Sequence, residues 1–264
     1  MHDNNSSSTT RQPQESSKRG EIIYVDPMPA QRVAAERMTQ AQTTIPMFHL
    51  STTVTMDGAL KVLAQHKKES SEGEADPTVG VLILKATAML LKEHPLVNGS
   101  YRDGSFEIYS RVNVGFAVPT DRGLLVPTVF DADRLSIDEI AQEVKRLITQ
   151  ARNGAITFSE LSGATFTISN LGVFDIEAFT AIINPPQAAI LATGRIARRA
   201  VVGDDDLIAS RQQMTMTLGC DHRILQGSDG ATFLQDLKSL LENRPALWGP
   251  AGQKVLREPL GGLG

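Results

Sequence analysis

Residues Val79 to Glu93 constrain the fold more than any other stretch. Val81, Leu82, Ile83, Leu84, Ala86, Met89, Leu90 and Leu91 put apolar side chains on nearly every side of a helix. The run is too long for a buried strand, so it predicts a buried helix. Such a helix needs cover all round. A chain of 264 residues with 41% hydrophobic content has the core to provide it, as one large domain or two small ones.

Around this helix the sequence alternates between strand and helix signals. Residues 1–20 hold Asn, Ser, Thr, Gln, Arg and Lys with almost no apolar residue, which predicts a disordered tail or linker. An extended piece over 21–25 leads to a helix over roughly 30–41 that carries Arg32 and Arg37 and is broken by Ile45-Pro46. Phe48, Leu50, Thr52, Val54 and Met56 then alternate with His49, Ser51, Thr53 and Thr55 as a strand, followed by a helix over 57–68 and a polar loop over 69–76.

Beyond the buried helix, short strands are predicted over 99–102 and 106–109. Two more, 112–118 and 124–129, flank the turn Thr120-Asp121-Arg122-Gly123. Ser136 and Glu139 make a capping box, Leu135 and Ile140 a hydrophobic staple, and Asn153-Gly154 a helix stop. Thr157 and Glu160 repeat the box in a shorter helix. Strands over 164–169 and 188–196 follow, then a turn over 203–206 that leads into a pairing of 207–210 with Gln212 onward. After Trp248, residues 249–264 read as a flexible, glycine- and proline-rich extension. Mixed element order with several hairpins indicates an α+β fold, a mixed β-sheet with helices packed on one face.

Composition narrows the function classes. A net charge of −4 and a pI near 5.8 create no global field for nucleic acid or an anionic membrane. The lone Cys220 leaves no internal disulfide and no cysteine metal cluster. No secretory signal or bilayer-length apolar run is evident, so a soluble intracellular protein is expected. Walker loops, dinucleotide fingerprints, zinc spacings and Gly-x-Ser-x-Gly elbows are absent from the sequence. Asp204, Asp205 and Asp206 suit a solvated turn better than a metal site. Arg195, Arg198 and Arg199 suit a phosphate or an exposed strand end equally.

The chemistry concentrates in Gly219 to Asp236. Met214, Met216, Leu218 and Cys220 share the apolar face of a strand, and Phe233, Leu234, Leu237, Leu240 and Leu241 mark a helix. Asp221, His222 and Arg223 lie between them. By parity His222 extends the apolar face, where desolvation favours the neutral imidazole a general base requires. A structural histidine held by hydrogen bonds is the plainer alternative. Ser169, at a strand end before Asn170-Leu171-Gly172, reads on its own as a turn former.

Thr165-Phe-Thr-Ile-Ser-Asn-Leu-Gly172 followed by Asp221-His222-Arg223 resembles the catalytic domain of the 2-oxoacid dehydrogenase acyltransferases, the dihydrolipoamide acyltransferase (E2) components. Arg37-Met38, Thr44-Ile45-Pro46, His94-Pro95-Leu96-Val97-Asn98, Gly115-Phe116-Ala117-Val118 and Gly123-Leu-Leu-Val-Pro127 agree in order. The resemblance implies a catalytic domain over 21–248 with a chloramphenicol-acetyltransferase-like two-layer sandwich. It further implies a homotrimer with active sites between subunits, coenzyme A as substrate, and a lipoyl group from a separate or removed domain. Dehydrogenase (E1) and dihydrolipoamide dehydrogenase (E3) components are the implied partners, in the cytoplasm or a mitochondrial or plastid matrix. His222 matches the family's catalytic base and Ser169 its oxyanion-stabilising hydroxyl.

This chain departs from the family where Asp-His-Arg-x-x-Asp-Gly carries Gln226 in place of the second acid. The arginine that usually pairs with that acid is missing from 57–68 as well, so no charge is stranded. Gln226 is expected to brace the turn by hydrogen bonds, and an aspartate restored there to be buried and unpaired. No lipoyl or subunit-binding domain is recognisable upstream. Two rival readings remain, a non-catalytic E2-like scaffold and a coenzyme-A acyltransferase with a small-molecule acceptor. The relatives of the latter kind carry His-His where this chain has Asp221-His222.

Overall fold

The structure, a computed structural model, describes residues 10–11, 20, 22–69, 75–121, 123–203 and 205–243. Most of the expected tail over 1–20, most of the loop over 69–76 and all of the extension over 249–264 lie outside the described residues. In chain order the first elements are β1 (Thr10–Arg11), β2 (Tyr24–Val25), α1 (Pro29–Thr44), β3 (Met47–Thr55), α2 (Asp57–Glu69) and α3 (Val79–Leu91). Next come β4 (Gly99–Arg102), β5 (Ser105–Ile108), β6 (Val114–Phe116), β7 (Val118–Thr120), β8 (Gly123–Leu125), β9 (Thr128–Val129) and α4 (Ile137–Asn153). β10 (Phe166–Asn170), β11 (Ala189–Val202), β12 (Ile208–Asp221) and α5 (Gly227–Asn243) complete the series.

The all-round apolar run is α3, and it is buried from Val81 through Leu91. Each buried aliphatic side chain there contributes roughly 1.5–3 kcal/mol relative to exposure. Thr78 caps its start, accepting from the Val81 N–H at 3.3 Å. Lys85 is buried within the run, and its Nζ donates to the carbonyls of Asp133 (2.9 Å) and Leu135 (2.6 Å). Burial pushes its pKa down, opposed by Asp133 and Glu139. Those two bonds tie α3 to the start of α4, where Ser136 and Glu139 close the expected capping box.

The main sheet has six strands in the order β3-β12-β11-β10-β6-β9. β10 runs parallel to both its neighbours and the other pairs are antiparallel, so the sheet is mixed. The expected turn at 120–123 joins β7 to β8 in a small separate hairpin. The long hairpin differs from its sequence reading. Val202 pairs with Ile208 and the ladder continues to Ala189 opposite Cys220, so 208–221 pairs with 189–202 and not 207–210 with 212 onward. Local alternation marks a strand but carries no information about its partner.

Helices α2, α3, α4 and α5 share one core with a single face of the sheet, to which β12 contributes Met214, Met216, Leu218 and Cys220. α1 lies on the opposite face, where Ala41 and Ile45 pack with Ile183 and Ile190 beside Met47 and Ala181. Ser169, Ala192, Thr217 and Ser51 line up across this second face. The ladder between β11 and β12 is irregular between Thr193 and Ile196. There Gly194 lets the loop after β10 close in, with Arg195 N–H donating to the Ile176 carbonyl at 2.7 Å.

Candidate active site

β12 ends at Asp221, and there the parity argument fails. The Ile224 and Leu225 N–H groups donate to the Asp221 carbonyl, turning the chain out of the ladder before His222 can continue the buried face. His222 is exposed in this chain, contrary to the expected desolvated position. It is nonetheless held: its N–H donates to the Pro46 carbonyl at 3.0 Å, and its ring lies 4.7 Å from that of Phe48, tilted by 54°. Phe48 lies in β3 and Pro46 just before it.

The flanking residues, which sequence reasoning left without a role, do most of the holding. The Asp221 side chain is 1% exposed and takes a forked contact from Arg223, with Nε at 3.0 Å from Oδ1 and Nη2 at 2.7 Å from Oδ2. The Arg223 backbone N–H also donates to Oδ1 at 2.9 Å. The bond to Asp221 holds the Arg223 pKa above its ordinary value. The guanidinium lies 4.7 Å over the Tyr101 ring of β4, so the turn is fastened to a second element. A buried acid two residues before an arginine at a strand end is the signal that could have revealed this clamp.

Gln226 does not brace the turn. It is exposed, its amide has no hydrogen-bond partner among the described residues, and it is its backbone N–H that donates to Asp229 Oδ2 at 2.7 Å. That contact caps α5 from within. Cys220 is buried, and desolvation first, then Asp229, pushes its thiol up to about 12, so it stays protonated and unreactive. A pocket of about 270 Å³ lies beside the start of α5, between Glu93–Val97 and Ser228, Asp229 and Thr232. His94 on its wall faces Asp236 at 2.8 Å.

Ser169 is half-buried near the end of β10, and its hydroxyl has no partner among the described residues. It stands level with Ala192 and, through it, with Thr217. His222 lies five residues further along the chain, one past the end of β12, two strands away. At about 3.4 Å per residue and about 4.8 Å per strand, roughly 20 Å separates the two within one chain. The structure therefore does not bring Ser169 and His222 of the same chain together.

Of the basic cluster, Arg195 pairs with Asp175 at 2.8 Å and Arg199 with Glu177 at 2.9 Å, while Arg198 is exposed. The pairing acids lie on the loop after β10, so the cluster anchors that loop. Among the described residues no group of three or more His, Cys, Asp or Glu side chains is placed to hold a metal ion, and no helix is long and apolar enough to cross a membrane.

Comparison with known proteins places this geometry. The sequence profile of the 2-oxoacid dehydrogenases acyltransferase (catalytic domain) matches residues 21–248. Component 3 of the mitochondrial pyruvate dehydrogenase complex dihydrolipoyllysine-residue acetyltransferase from Arabidopsis thaliana is 38% identical over 86% of this chain and 43% of its own length. The chain spans about half the length, or less, of the curated relatives it matches, which include mitochondrial and bacterial proteins. Azotobacter vinelandii dihydrolipoamide acetyltransferase superposes with a TM-score of 0.84 at 30% identity, covering 89% of this chain and 98% of that one. That structure addresses the catalytic roles of a serine, a histidine and an asparagine, the last standing four residues beyond the histidine. A chloramphenicol acetyltransferase matches with a TM-score of 0.51 at 14% identity, covering 78% of this chain and 94% of that one, and shares the fold.

Proposed function

From the premise that the chain belongs to the 2-oxoacid dehydrogenase acyltransferase family, we propose that it transfers an acyl group between dihydrolipoamide and coenzyme A within a 2-oxoacid dehydrogenase complex. The observation that carries the mechanism is a histidine fixed on a rigid turn yet open to a substrate. Neutral His222 takes the proton of the attacking thiol. The thiolate adds to the thioester carbonyl, and a hydroxyl hydrogen bond stabilises the resulting oxyanion. Collapse expels the second thiol as a thiolate, which recovers the proton from the imidazolium.

Ser169 is the hydroxyl donor in this reading, contributed by a neighbouring subunit because its own His222 is about 20 Å away. A head-to-tail contact repeated about a three-fold axis supplies one complete site per interface in a closed homotrimer. Val173 and Phe174, which follow Ser169 closely and are 83% and 59% exposed, suit burial in such a contact, as does α1 with its exposed Val33. Gln226 stands four residues after His222, the offset of the asparagine in the Azotobacter enzyme, and its exposed amide is assigned a polar contact to substrate. The lipoyl group comes from a lipoyl domain on another segment or protein, and the E1 and E3 components supply and reoxidise it. The working compartment is the cytoplasm or a mitochondrial or plastid matrix, and the domain spans 21–248.

Thiol release from acetyl-coenzyme A with free dihydrolipoamide tests this directly. His222→Ala should lower turnover by roughly two to four orders of magnitude in a folded assembly. Ser169→Ala should lower kcat by roughly two orders with little change in KM, the mark of a transition-state donor. Turnover by His222→Ala equal to the parent's refutes the mechanism. No transfer by a correctly assembled parent chain leaves the scaffold reading in its place.

A further inference from the structure

We propose that Asp221 and Arg223 are a charge-balanced positioning pair for His222, holding the turn while keeping the field of a buried carboxylate away from the imidazole. The inference rests on the acyl-transfer reading for its kinetic consequence, though not for its electrostatics. The Asp221 side chain is essentially out of water, and both its oxygens are occupied by Arg223. A carboxylate one residue from an imidazole, buried and unpaired, favours the imidazolium form. An imidazolium cannot accept the thiol proton. The guanidinium cancels that charge at close range, and its fork fixes the backbone on both sides of His222.

Among the described residues, the groups in direct contact with His222 itself are uncharged. From β3 and the residue before it the contacts are the Phe48 ring and the Pro46 carbonyl, neither charged; His49 of that strand belongs to the other sheet face, opposite Gly219. From the β4–β5 hairpin come Tyr101, stacked under the guanidinium, and the mutually paired Arg102 and Glu107. From α5 comes Asp229, whose carboxylate accepts from the Gln226 N–H. A turn brace alone predicts that any disruption simply slows the reaction. Charge balance predicts more, because removing either partner leaves a charge of opposite sign beside the imidazole.

The test is the pH profile of kcat/KM in the assembled protein, with thermal unfolding as a folding control. Arg223→Gln should move the acid limb up by about one pH unit or more, and Asp221→Asn should move it down. The double variant, neutral again, should return to the parent position while its kcat stays reduced. Arg223→Lys keeps the charge without the fork, so its limb stays in place as kcat falls. If Arg223→Gln does not fold, Arg223→Lys and the double variant still carry the comparison. NMR titration of the His222 ring in the same variants reads the electrostatics without catalysis. Loss of transfer in the parent therefore refutes the acyltransferase reading, whereas ring titrations that coincide in all variants, or move in one direction in both single variants, overturn the charge-balance inference.

Discussion

Gly194→Ala is expected to be among the most damaging single-methyl additions in this chain. A Cβ on Gly194 falls 1.9 Å from the Glu177 carbonyl oxygen and 3.0 Å from that of Ile176, both backbone atoms that cannot swing aside. An ordinary contact of a Cβ begins at 3.4 Å, so the 176–177 segment must retreat by about 1.5 Å. Retreat strains or breaks the Arg195 N–H bond to the Ile176 carbonyl and pulls on the Arg195–Asp175 pair. Overpacking costs about 1–3 kcal/mol, the hydrogen bond about 1 kcal/mol, and the exposed ion pair little, giving roughly 2–4 kcal/mol. The effect reaches the candidate site because Gly172, at the turn after Ser169, packs against the Gly194 carbonyl. Urea unfolding at fixed protomer concentration measures it, with Gly80→Ala as control, since its nearest neighbours would be 3.7 and 4.0 Å away. Stability of Gly194→Ala within about 0.5 kcal/mol of the parent would refute the steric argument.

Two further substitutions probe charge. The Glu160 carboxylate is held at a pKa of about 2 by the Thr157 N–H and hydroxyl and by Arg146. A depressed carboxylate pKa stabilises the fold above the ordinary glutamate range and loses that contribution as pH falls from 4.5 towards 2. Glu160→Gln should therefore cost about 1 kcal/mol at neutral pH, after allowance for solvent screening, with the gap closing in acid; a gap that persists unchanged to the acid end of the titration contradicts it. Gln226→Asp should change stability by less than about 0.5 kcal/mol, because the position is exposed and not the buried site expected of the motif. A calorimetric loss of several degrees in the melting temperature would show that the side chain is enclosed in the assembled protein.

Much of the local structure was legible before any coordinates. The apolar run became α3, Ser136 and Glu139 capped α4, and the 120–123 turn joined two strands, because each signal lies within a few residues of what it controls. The family could be recognised by motif order, and with it the identity of His222, Ser169 and Gln226 as candidates. What the residues alone could not reveal was their surroundings. His222 follows the strand parity on paper, yet the Asp221 carbonyl captures two N–H groups and turns the chain away first.

Element types, apolar faces and the acyltransferase motif can be read from the residues alone, since periodicity and capping are short-range preferences of the chain. The pairing of β12 with β11, the seat of α1 on the opposite face from the other helices and the stacking of Tyr101 on the Asp221–Arg223 clamp emerge with the folded arrangement alone. So does the separation of Ser169, in β10, from His222, just past the end of β12, by roughly 20 Å within one chain. These are relations between residues distant in sequence, and strand register and core packing select them from many arrangements that the same local preferences would allow.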